Sequence, residues 1–198
     1  MIVVVDYKMG NLRSVSKALE AVGAKVIVTS SPKIIKKATK LVFPGVGAFG
    51  DAMQELEKLN LIDTLKEEIF KKPFLGICLG LELLFEESDE AKGMNGLGIF
   101  KGKIKLFPVK VKIPHMGWNQ IQIKKKCPIF KNIPDDAFMY FCHSYYVPKS
   151  DKSIIASETN YGLNFVSAVN KDNIFAVQFH PEKSQKMGLK LLENFIKL

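Results

Sequence analysis

Ile2 to Asp6 is a run of β-branched residues ended by an aspartate, the pattern of a strand buried on both faces. Gly10-Asn11 then opens a segment whose apolar positions, Leu12, Val15, Leu19 and Val22, recur at spacings of three and four. That predicts an amphipathic helix ended by Gly23. The alternation continues. Lys25 to Thr29 reads as a second strand, and Ser31-Pro32 starts a short basic helix. Lys40 to Phe43 reads as a third strand that ends in the turn Pro44-Gly45-Val46-Gly47. Asp51 to about Phe70 has the periodicity of one long helix. Pro73 to Ile77 reads as a fourth strand that runs into Cys78 and a further helix. Strand and helix in strict alternation predict an α/β fold: an open, mostly parallel sheet with helices on both faces.

Beyond about residue 95 short strand-like segments take over: Lys103 to Phe107, Asn119 to Ile123, Phe138 to Phe141, Phe165 to Val169 and Ile174 to Gln178. They predict antiparallel additions to the same sheet or a small side sheet. A final helix is expected over Ser184 to Ile196. No polar linker, repeat or low-complexity tract separates the halves, so residues 1–198 are expected to form one domain.

Composition narrows the function classes. Hydrophobic residues at 47% and charged residues at 25% are globular proportions and exclude a disordered or fibrous chain. No stretch of 18 apolar residues occurs, and the first residues lack a basic leader and cleavage site, so no membrane association and a cytoplasmic address are expected. The net charge of +9 raises the question of nucleic acid, but every basic residue except Arg13 is a lysine, and the lysines are scattered. Base and phosphate readout leans on the arginine fork, so a solvated surface is expected instead. Three cysteines and three histidines show neither a C-x-x-C pair nor metal-ligand spacing, and no Gly-rich phosphate loop occurs, so no metal and no cofactor are expected.

Gly76-Ile77-Cys78-Leu79-Gly80 places a cysteine between two glycines where a strand meets a helix. This is the pattern of a nucleophile elbow, with sulfur in place of the serine oxygen. A side chain at either glycine would clash in so sharp a turn. The central residue is forced out at the carboxyl end of the strand, where a helix N-terminus favours thiolate and the next N–H faces a developing oxyanion. The plain structural alternative is a small buried cysteine at a tight junction. His180 and Glu182, in Gln178-Phe179-His180-Pro181-Glu182, tip the balance. Two residues apart on an extended segment held by Pro181, they face one side, so a carboxylate orients an imidazole. His115, in a loop with the only tryptophan, is expected to be structural or interfacial. Cys142 is expected in the core, and Cys127 is expected to be incidental.

Together these residues resemble the class I, triad-type glutamine amidotransferases. The resemblance spans the chain and rests on Asp6 to Ser14, Phe43 to Phe49, Gly76 to Gly80, Pro114 to Asn119 and Phe179 to Ser184. Within that family it is nearest to the subunits that supply ammonia to a cyclase in histidine biosynthesis. It implies a flavodoxin-like sheet and a glutaminase in which Cys78 attacks the carboxamide, with His180 and Glu182 completing the triad. It also implies oxyanion donors at Leu79 and at Val46, the latter after a peptide reorientation, and substrate contacts at Gly45, Gly47, Glu82, Ser144 and Tyr145. A (β/α)₈ cyclase is the implied heterodimer partner, docked near Asn11, Met116, Trp118, Tyr140 and Lys183. Two positions depart from the family pattern. Glu82 stands where glutamine is usual, and Lys8 where glycine is more usual. A carboxylate one turn after Cys78 either opposes thiolate formation or holds the α-ammonium group of glutamine. Two alternatives therefore stay open: a paralogue serving another ammonia acceptor in a surface-sugar pathway, and a weakly active or regulatory subunit.

Overall fold

The computed structural model describes residues 1–198. Its main sheet has nine strands in the order β2-β1-β3-β4-β12-β11-β10-β7-β8. The parallel part comprises β1 (Ile2–Val5), β2 (Val26–Thr29), β3 (Lys40–Gly45), β4 (Phe74–Cys78) and β12 (Ile174–Val177). Antiparallel strands extend it: β11 (Asn164–Lys171), β10 (Ile155–Asn160), β7 (His115–Ile123) and β8 (Ala137–His143). A side sheet joins β5 (Phe85–Ser88), β6 (Phe100–Leu106) and β9 (Tyr145–Tyr146). Both expected destinations of the later strands are therefore used. Ile174 to Gln178, expected among the antiparallel additions, instead forms β12 parallel to β4, and only β11 runs antiparallel to it.

The β-branched run of β1 divides its residues between two cores. Val3 and Val5 join a cluster of 30 buried residues with Ile35, Phe49, Leu56 and Leu65, whereas Ile2 and Val4 join one of 27 with Val15, Leu19, Leu191 and Phe195. Near-equal clusters mean that both faces are covered, which is why the parallel strands are apolar throughout. Helices α2 (Pro32–Lys37), α3 (Phe49–Lys58) and α4 (Ile62–Glu68) supply the first face. Helices α1 (Leu12–Ala21) and α6 (Gln185–Ile196) supply the second.

Some expectations need correction. The long helix expected from Asp51 to Phe70 is two helices, because Asn60 takes φ +53° and turns the chain between α3 and α4. The helix after Cys78 is a single turn, α5 (Leu79–Glu82), before the chain enters β5. Pro114 to Asn119 is not a loop, since His115 to Asn119 lie in β7, paired with β8. Cys127 is buried with Ile129 and Phe130, so it is a core residue, while Cys142 is only half-buried.

Candidate active site

Parallel pairing sets Gly45 beside Cys78, so β3 and β4 end together at the carboxyl edge of the sheet. There the chain turns twice, and a cavity of about 260 Å³ opens between the turns. Cys78 has φ +54° and ψ −110°, a strained conformation for a residue with a side chain. The flanking glycines are required by contact. A Cβ on Gly80 would lie 1.9 Å from the Phe43 carbonyl oxygen, and one on Gly76 would lie 2.8 Å from the Gly80 carbonyl oxygen. The sulfur lines the cavity and donates to the Cys142 carbonyl at 3.8 Å. Burial raises the Cys78 pKa, and the nearby carboxyls of Glu82 and Glu182 raise it further, while the Leu79 N–H draws it down.

His180 lines the same cavity and is almost fully buried. Its Nδ1 lies 2.8 Å from Glu182 Oε1, so the carboxylate holds the ring with Nε2 free. The backbone reason differs from the sequence expectation. Pro181 does not keep the segment extended; it opens a 3₁₀ turn over Pro181–Lys183, and the turn brings Glu182 back onto the ring. Ser184 fixes the turn. Its hydroxyl donates to the His180 carbonyl at 2.6 Å and accepts from the Tyr140 N–H at 2.9 Å, while the His180 N–H donates to the Tyr140 carbonyl at 2.8 Å.

Val46 and Gly47 form the facing wall. Val46 is 41% exposed, and its N–H donates to the Met9 carbonyl at 3.4 Å, a long bond. Gly47 has φ +105°. Leu79, Glu82, Ser144, Tyr145 and Lys183 also line the cavity, and Gly45 lies behind it against the Tyr7 hydroxyl. Glu82 is buried and accepts from Gln178 Nε2 at 2.8 Å.

The expected docking residues divide. Met116 and Trp118 on β7 are exposed; Trp118 meets Tyr140 edge-on at 6.0 Å, and Lys183 Nζ lies 5.7 Å over the Tyr140 ring. These four form one surface beside the cavity, which Lys183 also lines. Asn11 lies at the start of α1, the helix that packs against the Pro181–Lys183 turn, and makes no side-chain cap.

Three groups escaped the sequence reading. Glu90 lines the cavity, its Oε2 accepting the Phe49 N–H at 2.8 Å. His115 and His143 form a buried pair, Nδ1 to Nε2 at 2.9 Å. The pair has one consistent proton arrangement. Asn119 Nδ2 donates to the Asn160 carbonyl and to His115 Nε2, so His115 Nδ1–H donates to His143 Nε2, and His143 Nδ1–H donates to the Tyr145 carbonyl at 2.6 Å. Burial pushes their pKa values down to about 4 and about 3, which keeps both rings neutral. Cross-strand pairing of His115 with His143 was the only signal, and it needs the β7–β8 register.

A cysteine elbow and a carboxylate-held histidine that open onto one small cavity are the equipment of thiol-dependent amide chemistry. The sequence model of the family described as glutamine amidotransferase class-I matches residues 3–198. This chain belongs to that family. Among similar amidotransferases, the imidazole glycerol phosphate synthase subunit HisH of Aquifex aeolicus (strain VF5) is 57% identical over 195 residues, covering 98% of this chain and 94% of that protein. Its counterpart in Methanocaldococcus jannaschii is 49% identical over 203 residues, with full coverage of both. A solved structure described as a glutamine amidotransferase superposes with a TM-score of 0.78 at 14% identity, over 100% of this chain and 98% of that one. PurLQS from Thermotoga maritima gives 0.75 at 18% identity, over 99% and 97%. These two likenesses establish the amidotransferase fold.

Proposed function

We infer that this chain is the glutamine-hydrolysing subunit of an imidazole glycerol phosphate synthase, supplying ammonia to a cyclase partner. What carries the reading is one arrangement: Cys78 on its strained elbow and the His180–Glu182 pair open onto a single cavity. The full-length identity to HisH proteins directs it to this subunit rather than to a surface-sugar paralogue.

The chemistry follows from the groups present. His180 Nε2 takes the thiol proton as Cys78 attacks the glutamine side-chain carboxamide, and Glu182 stabilises the imidazolium. The imidazolium returns the proton to the departing nitrogen, and ammonia leaves. Water, deprotonated by His180, then opens the thioester to glutamate. The Leu79 N–H stabilises the oxyanion from one side. The second donor is the Val46 N–H, which is turned to Met9 at rest. Gly45 and Gly47 flank that residue and lower the cost of turning its peptide toward the cavity. Binding of the partner and its phosphorylated ligand drives that turn, so basal glutaminase activity is low. Gly47, Ser144 and Tyr145 contact the bound glutamine, and the Glu90 carboxylate takes its α-ammonium group.

A (β/α)₈ cyclase docks on Met116, Trp118, Tyr140 and Lys183, with Asn11 at the margin. Trp118 is the anchor, an exposed aromatic beside a lysine suited to an acidic partner residue. One domain spans the chain and works in the cytoplasm. No helix is long and apolar enough to cross a membrane.

The test is glutamate release from isotope-labelled glutamine by the purified chain, alone and with the cyclase and its ribulose-phosphate ligand. Turnover that rises on adding partner and ligand is expected. Cys78→Ala is expected to lower it about 10⁴-fold with the fold intact. Absence of turnover in the full mixture would remove the reading.

A further inference from the structure

Glu82 is a carboxyl group without a counter-charge. It sits one turn after Cys78, is 5% exposed, and lines the cavity. Its hydrogen bond comes from a neutral amide, Gln178 Nε2, whose own Oε1 is buried without a partner. No ion pair includes it. The groups that face it are neutral or acidic: Cys78 on its own turn, the Tyr7 hydroxyl beyond β1, Tyr145 on β9, Glu90 after β5 and Gln178 after β12. The basic groups of the cavity are engaged elsewhere. His180 is held by Glu182, Lys183 lies over Tyr140, and His143 is neutral. An ionised carboxylate so placed loses its hydration and gains one neutral donor in return, a poor exchange.

We propose that Glu82 is a positioning residue that works as a neutral carboxylic acid, and that the loss of its proton suppresses the Cys78 nucleophile. As an acid it is an uncharged, planar group that completes the pocket beside Gln178 and leaves the thiol to His180. As a carboxylate it adds a negative charge near the sulfur and opposes thiolate formation. Burial, reinforced by Glu90 and only partly countered by the Gln178 hydrogen bond, raises its pKa to about 8. The effect on turnover rests on the glutaminase reading, while the protonation of Glu82 does not.

Three measurements test the two parts. In the free subunit, ¹³C NMR of carboxyl-labelled glutamate, with Glu82 assigned by its loss in Glu82→Gln, is expected to find this carboxyl protonated at pH 7 and titrating near pH 8. A Glu82 carboxyl already ionised at pH 7 overturns the inference, whatever the enzyme does with glutamine. Iodoacetamide alkylation of the Cys78 peptide, followed by mass spectrometry at pH 9, is expected to run at least about fivefold faster in Glu82→Gln than in the wild type. Equal rates overturn it. In the complex with cyclase and ligand, kcat/KM for glutamine is expected to fall about tenfold from pH 7 to pH 9 in the wild type and to stay level in Glu82→Gln. A fall shared by both proteins overturns the link to turnover. If neither protein hydrolyses glutamine while the NMR and alkylation results hold, the glutaminase reading fails and the assignment of Glu82 stands.

Discussion

Two turns leave the same edge of the sheet side by side, and they are built in opposite ways. The elbow from β4 into α5 is buried, and backbone atoms crowd both of its glycines. The turn after β3 is open. Val46 is exposed and held by one long hydrogen bond to Met9, and a Cβ on Gly47 would meet only the end of the flexible Met9 side chain, at 2.9 Å. The first turn places the proposed nucleophile, where a small displacement is costly in rate. The second carries the proposed oxyanion donor, where freedom to move suits the partner control proposed above. The elbow is locked by backbone contact, and the facing wall is the part of the site that the fold holds least.

Substitution of the glycines breaks or sharpens this contrast. Gly80→Ala drives a Cβ to 1.9 Å from the Phe43 carbonyl oxygen, which cannot yield without moving β3. A loss of about 3 kcal/mol or more in urea unfolding is expected. The next effect in size belongs to Glu82, at the far end of the rigid turn. Its folded pKa, about 8, lies above the 4.5 usual for a glutamate, so between those values the folded chain keeps a proton that the unfolded chain has released. Stability from this group is therefore full below about pH 4.5 and falls as pH rises toward 8. Glu82→Gln removes the penalty. It is expected to stabilise the chain by ~3 kcal/mol at pH 7 and to be neutral at pH 4, as read from unfolding curves at both values. Smallest is Gly47→Ala. Its positive φ costs about 1 kcal/mol of stability, while partner-stimulated glutaminase falls more than basal. If Gly47→Ala unfolds the chain as readily as Gly80→Ala, the distinction between the two turns is wrong.

The elbow was legible because its chemistry and its geometry lie within five consecutive residues, Gly76 to Gly80. The His180–Glu182 contact was legible for a different reason from the one that operates, since a 3₁₀ turn rather than an extended segment joins the pair. The break at Asn60 was hidden because asparagine enters the left-handed region without a glycine to announce it. Strand β10, Ile155–Asn160, was also hidden, since Ser157, Glu158 and Thr159 are polar residues buried inside the structure. Glu90, His115 and His143 gave no local signal of their partners. Glu90 reaches Phe49 across 41 positions, and the imidazoles meet across 28.

Read alone, the sequence determined the alternating parallel sheet, the nucleophile elbow, the carboxylate-held histidine and the family. Each of these is written in short-range patterns: period, glycine spacing, adjacent side chains. Only the tertiary structure decided the burial of Glu82 without a counter-charge, the resting direction of the Val46 N–H and the pairing of His115 with His143. Those depend on which groups face one another across the fold and on how far water is excluded from them, and neither is a property of neighbouring residues.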